Sequence, residues 1–352
     1  MKMGFNKGEW SELYTLLYLM EQPNLVIVDE NLKVIEENIF MILDIILSSS
    51  QYQTGWDKKI VKTLNDEVIK EYDKEYISKQ RRVLLQKILA HEKAKGSFEI
   101  QEIKALIDDL FDGKKPKGSS KVKGDLEANV LDKSRSQIVN LKYNIKSNLG
   151  SKATLLNASS HTNFIYELKN MNDEVMNENN SIKSRKKLLE RCEFLNKHRV
   201  IVEFLKVEST VFNYNLKLID SHLDNILAKM LYLSYSKNEK DIEELIKLIG
   251  NNQDDYNFYK KKLGDFANAV TFGMRAGEKW NGVNEVNGGI LLVTKTGEVC
   301  LLDLVYFEEI VNKYLINNIK LDSPSSKRYE MFEIYKENGK YYFKLNLQIR
   351  FK

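Results

Sequence analysis

The sequence predicts an α+β protein, with a small mixed sheet, a large helical portion and a β-rich C-terminal part. Three observations carry this. Only 17 Gly and 3 Pro are spread over 352 residues rich in Lys, Glu, Ile, Leu and Asn, a composition that favours long uninterrupted helices. The texture then breaks at Gly113, where ten residues hold five lysines and no acid before two strand-like runs begin. The last third has paired apolar runs around Thr296-Gly297 and Asn338-Gly339, the second an Asn-Gly pair typical of a two-residue hairpin.

Taken in order, residues 7–20 place Leu13, Leu16, Leu17 and Met20 at helical spacing, with Pro23 just beyond. A short strand is expected over 25–28. An amphipathic helix is expected over 32–47 and mostly helix over 56–111, where apolar residues recur at intervals of three and four. After the basic loop, residues 125–131 and 138–147 read as two strands joined by a polar turn through Asp132, Lys133, Ser134 and Arg135. Helix is expected again over 163–176 and 181–249, ending at Gly250. A hairpin over 290–294 and 299–304, a helix over 307–314 and a hairpin over 331–336 and 341–349 complete the chain. The organisation expected is a core over 1–170 that holds the N-terminal helix and the two strands after the basic loop, a helical region over 171–265, and a β-rich part over 266–352.

With Lys+Arg 54 against Asp+Glu 50, the net charge of +4 names no partner, so any nucleic-acid surface must be local. The hydrophobic fraction of 43% excludes a disordered chain. Cys192 and Cys300 form no CxxC or Cys/His cluster, so a reducing cytoplasm and no zinc site are expected. Lys2, Lys7 and Glu9 occupy the start, where a signal peptide needs an apolar run, and Asp44 interrupts the greasiest stretch. Neither secretion nor a membrane span is therefore expected. His91, His161, His198 and His222 show no metal-ligand spacing.

The constellation with chemical content follows the basic loop. Asp125 and Glu127 alternate with Leu126, and Asn144 and Lys146 alternate with Ile145, so each pair shares a strand face. An antiparallel return brings an acid, a short polar side chain and a lysine together. Such a set suits phosphodiester hydrolysis, with Asp125 offering a hard oxygen to Mg²⁺ and Lys146 orienting the attacking water. Spacing alone leaves open the plainer alternative of a solvated lysine on an ordinary strand.

Further blocks resemble the HpaII family of type II restriction endonucleases. They are Asn6-Lys7-Gly8-Glu9-Trp10-Ser11-Glu12-Leu13-Tyr14, then Asn144-Ile145-Lys146-Ser147-Asn148-Leu149-Gly150, Thr154-Leu155-Leu156-Asn157-Ala158-Ser159 and Thr162-Asn163-Phe164-Ile165-Tyr166. Trp280-Asn281-Gly282, Gly288-Gly289-Ile290, Lys320-Leu321-Asp322-Ser323-Pro324-Ser325 and residues 344–351 follow in family order, while 172–265 carry little that matches. The resemblance implies a PD-(D/E)xK-like core in which Asn144 replaces the usual second carboxylate, as in MspI-like enzymes, leaving the metal site one acid short. Glu9 and Glu12, three apart on one helix face, are the candidates to complete it, and Glu127 is the runner-up. First-turn acids favoured by the helix dipole are the competing explanation for that pair.

For recognition, Arg275, Lys327 and Arg328 sit on segments irregular enough to reach a groove and its guanine edges, with ordinary surface charge the plainer alternative; Ser325, Ser326 and Lys327 could equally grip phosphate, and Lys115 and Lys117 of the basic loop are further candidates for DNA contact. The implied function is Mg²⁺-dependent cleavage of a short palindrome, CCGG by resemblance, in double-stranded DNA by a homodimer or two copies on the site. The rivals are a DNA-binding protein that has lost cleavage, motivated by Asn144, and a helical interaction module, motivated by the long Lys/Glu-rich stretches.

Overall fold

A computed structural model describes residues 4–47, 50–54, 58–91, 94, 96–113, 124–150 and 152–352. The chain divides into two compact units, one of residues 1–153 with 284–314 and one of residues 154–283 with 315–352. These boundaries differ from those expected near 170 and 265. The 266–352 segment is shared between both units, because its hairpin at 289–303 pairs with strands of the first unit and its last strands pair with those of the second.

The first unit is built on a ten-stranded sheet, not a small one. Its order is Val34–Glu36, Ile27–Val28, Val299–Asp303, Gly289–Val293, Gln137–Ser147, Leu126–Asp132, Phe40–Leu47, Ser50–Gln53, Lys59–Leu64 and Glu67–Asp73. Two neighbours run parallel, Ile27–Val28 with Val299–Asp303 and Gly289–Val293 with Gln137–Ser147, and the other pairs are antiparallel.

Two expected helices are strands here. Phe40–Leu47 is a central strand whose apolar run is buried on both faces, which erases the alternation that marks a strand. Lys59–Leu64 and Glu67–Asp73 form a hairpin whose turn residues, Asn65 and Asp66, both adopt positive φ (49° and 66°), a conformation Asn and Asp tolerate. Only the remainder of 56–111 is helical, as Lys74–Ala90 and Gln101–Phe111.

Lys7–Glu21 is a helix as expected. Asn6 accepts the Glu9 amide, and the Glu9 carboxylate accepts the Asn6 amide at 2.8 Å, closing a capping box that satisfies two end donors. Its Trp10, Leu13 and Leu17 join one buried cluster with Leu126, Ala128, Val130, Leu141, Tyr143 and Ile145 of the sheet. Burying side chains of this size stabilises by about 1.5–3 kcal/mol each.

The second unit holds two smaller antiparallel sheets. Ile201–Val207, Asn163–Lys169, Lys340–Asn346 and Tyr335–Glu337 form one in that order, and Ile319–Leu321, Ile349–Phe351 and Thr154–Leu156 the other. The helix expected from 163 starts only at Asp173–Ser181, since Asn163–Lys169 is a strand flanked on both edges and buried along nearly its whole length. The helix expected over 181–249 is interrupted by the edge strand Ile201–Val207 and broken into Lys187–Lys197, Thr210–Ile219, Leu223–Ser236 and Ile242–Ile249. Gln253–Phe272 adds a long helix. The Asn338-Gly339 turn is as expected, with φ of 51° and 78°. Among the described residues no helix is long and apolar enough to cross a membrane.

Candidate active site

The two strands after the basic loop pair antiparallel, with Leu126 opposite Tyr143 and Glu127 opposite Lys142. Leu126, Ala128 and Val130 turn inward to the cluster under the N-terminal helix. The alternate residues therefore share the other face, and continuing the register sets Asp125 against Asn144. Gly124, at φ +132°, turns the chain into this pairing, a backbone setting that side chains disfavour. The Asp125 amide donates to the Tyr143 carbonyl at 2.9 Å, and the Ile145 amide donates to Asp125 Oδ2 at 2.7 Å.

Asp125 is thus clamped to the strand that carries Asn144 and Lys146, with one carboxylate oxygen used by the clamp. Asn144 is buried, and Asp125 and Lys146 are half-buried. The structure brings these three to one end of one hairpin face. Glu127 lies on the same face, with Oε2 3.9 Å from Lys142 Nζ.

The N-terminal helix meets this strand at its end. Ser11 Oγ donates to Ser147 Oγ at 2.9 Å, and a Cβ on Gly150 would lie 2.8 Å from Lys7 Cδ. The helix packs on the sheet face of Tyr143 and Ile145, opposite the face of Asn144 and Lys146. Glu9 gives its carboxylate to the capping box, whereas Glu12, half-buried, follows in sequence the Ser11 that bonds Ser147. Among the described residues no three His, Cys, Asp or Glu side chains are gathered closely enough to hold a metal by themselves.

A buried acid stands two strands away. Asp303 opposes Gly289, which itself opposes Tyr143. Burial pushes the Asp303 carboxyl up to about 6, against the amides of Val305 and Tyr306 that donate to it at 3.1 and 2.8 Å. Burial likewise pushes the Tyr143 hydroxyl well above its ordinary range. Spacing did not single out Asp303, whose burial depends on partners far away in sequence. It also passed over Lys142, although the alternation Lys142, Asn144, Lys146 was visible there.

The candidate recognition residues fall in the second unit. Asn215, fully buried, donates to the carbonyls of Arg275 and Glu278 at 3.0 and 2.8 Å and accepts the Trp280 amide at 2.9 Å, stapling the loop that carries Arg275. The Arg275 guanidinium lies 3.4 Å from Glu278. Lys327 and Arg328 are exposed in a turn in which Ser325 Oγ accepts the Arg328 amide at 3.2 Å. Both loops touch residues 158–161: the Tyr329 hydroxyl donates to the Ala158 carbonyl at 2.9 Å, and a Cβ on Gly277 would lie 3.0 Å from the His161 ring. Lys115 and Lys117 lie outside the described residues.

Residues 6–351 match the family model described as HpaII restriction endonuclease. The chain is 33% identical over 360 aligned positions to the Type II restriction enzyme HpaII of Haemophilus parainfluenzae, covering 98% of both chains. No solved structure matches significantly. A match spanning both units and the strand pair that holds Asp125, Asn144 and Lys146 leads to one conclusion: the chain belongs to the HpaII restriction endonuclease family.

Proposed function

We propose that this protein is a Mg²⁺-dependent type II restriction endonuclease that cleaves a short palindrome in double-stranded DNA, with CCGG the site suggested by its kinship. The observation that carries the proposal is the shared hairpin face of Asp125, Asn144 and Lys146, a PD-(D/E)xK-like arrangement with Asn at the second position.

The residues present fit a hard divalent cation. Asp125 retains a carboxylate oxygen beyond the one engaged by Ile145, Asn144 carries an amide oxygen, and Mg²⁺ is commonly held by one or two carboxylates together with substrate phosphate and water. A divalent ion held there would supply polarisation of a phosphoryl oxygen and acidification of a water. Lys146 orients that water and neutralises charge developing on the phosphate. Asn144 would orient or weakly ligate the ion, and Glu12 is favoured over Glu9 as the further carboxylate because Glu9 already caps its helix. Arg275, Lys327 and Arg328 read or grip DNA from the second unit, with Ser325 shaping the turn. A palindromic site implies two-fold symmetry, hence a homodimer or two copies on DNA. Cytoplasmic residence accords with the thiols of Cys192 and Cys300, both buried and free and pushed up by burial to about 12 and 11.

Supercoiled plasmid is the test substrate. Discrete fragments are expected with Mg²⁺ and none with EDTA, and Lys146→Ala should abolish cleavage while leaving DNA binding largely intact, since its role belongs to the transition state. Fragments from that variant at near wild-type rate overturn the assignment. Binding without cleavage by the unaltered protein would favour the reading prompted by Asn144, a DNA-binding protein without nuclease activity.

A further inference from the structure

The face that carries Asp125, Asn144 and Lys146 continues toward the hairpin turn. Lys142 and Glu127 stand opposite one another on it, so Lys142, Asn144 and Lys146 line one strand at steps of roughly 7 Å. Lys142 combines a fixed backbone with a loosely held side chain. Its amide donates to Asn287 Oδ1 at 2.8 Å, and its carbonyl accepts the Gly288 amide at 2.8 Å. Asn287 Nδ2 also reaches the Asn140 carbonyl at 3.3 Å, so this one side-chain amide stands in for a peptide unit of a neighbouring strand.

The ammonium, by contrast, sits 3.9 Å from Glu127 Oε2, well beyond the roughly 2.8 Å of a charge-assisted hydrogen bond. The two side chains are 29% and 35% exposed. A pair this open and this long gives up little when one partner is exchanged. An anion approaching the face meets Asp125 and Glu127 on one strand and Lys142 and Lys146 on the other. Of these cations, Lys142 is the one whose tether is a replaceable carboxylate.

We propose that Lys142 binds a DNA backbone phosphate beside the scissile one, and that Glu127 is its counter-ion in the free protein and not a metal ligand. The inference rests on the reading of this face as the active site. Lys142 acts by positioning the strand, and the phosphate displaces Glu127 from it.

The experiment measures binding of a duplex oligonucleotide bearing CCGG, in EDTA, as a function of KCl, for the unaltered protein, Lys142→Ala, Lys142→Arg and Glu127→Gln. Thermal melting of each establishes that it is folded. Losing one phosphate contact should make the slope of log affinity against log salt shallower by about 0.9, with affinity down about tenfold at low salt, and arginine should restore the slope. Glu127→Gln should bind two- to threefold more tightly, because Lys142 loses its internal competitor, and should leave the Mg²⁺ concentration for half-maximal cleavage within about twofold. An unchanged salt slope in Lys142→Ala, or a tenfold higher Mg²⁺ requirement in Glu127→Gln, overturns the proposal. Lys146→Ala runs in parallel: if it cleaves normally the active-site reading fails, whereas a dead Lys146→Ala beside an unaltered Lys142→Ala slope refutes the phosphate contact alone.

Discussion

Asn144→Asp is the perturbation that most directly interrogates the hairpin face. Asn144 is buried and opposes Asp125, so the substitution sets two carboxylates across one antiparallel rung. Side chains so placed are about 5 Å apart at Cβ, and like charges at that distance repel by about 3 kcal/mol at an effective dielectric near 20. Lys146, two residues along the same face, offsets part of this. In EDTA at about pH 8 the variant should therefore be less stable, with one carboxyl of the pair raised above its ordinary range. Mg²⁺ should reverse the penalty, because the second carboxylate becomes a hard ligand and binding stabilises only the folded state. Thermal unfolding of both proteins from EDTA to about 10 mM Mg²⁺ reads this out. The variant should start lower and close the gap, with a midpoint in Mg²⁺ at least about tenfold below that of the unaltered protein. Cleavage should persist within about a hundredfold, equivalent to about 2.7 kcal/mol in the barrier. If melting responds to Mg²⁺ identically in both proteins, Asn144 does not border a metal site and the assignment of this face falls.

Glu12→Gln should be folded but unable to cleave, while Glu9→Gln, which keeps a side chain able to close the capping box, should cleave at close to the normal rate. Plasmid digestion separates them, and two active variants would remove the N-terminal helix from the metal site. Asp303 supplies a pH signature. Its folded-state value of about 6 lies above its ordinary 3.8, so the folded protein holds the proton more tightly, and this group's contribution is full below about pH 4 and lost as pH rises through about 6. The difference amounts to about 3 kcal/mol. Asp303→Asn should flatten that part of the stability profile in urea unfolding between about pH 4 and 7, and an unchanged slope would mean that burial does not perturb this carboxyl.

The sequence by itself determined those features whose causes are local. Asn6 and Glu9 cap the start of the first helix, Asn338-Gly339 makes its turn, two apolar runs flank the Thr296-Gly297 turn of the 289–303 hairpin, and the strands bearing Asp125 and Lys146 are separated by a polar turn. Family kinship was legible too, since its blocks run from residue 6 to 351. Tertiary structure alone decided the rest. Phe40–Leu47 and Asn163–Lys169 are strands because partners on both edges bury them, and burial on both faces erases the polar alternation by which a strand is recognised. The Asp125 clamp, the contact of Ser11 with Ser147 and the bond from the Lys142 amide to Asn287 join residues 20, 136 and 145 positions apart. No local periodicity encodes such pairings, because their free energy arises only once the sheet has brought the strands together.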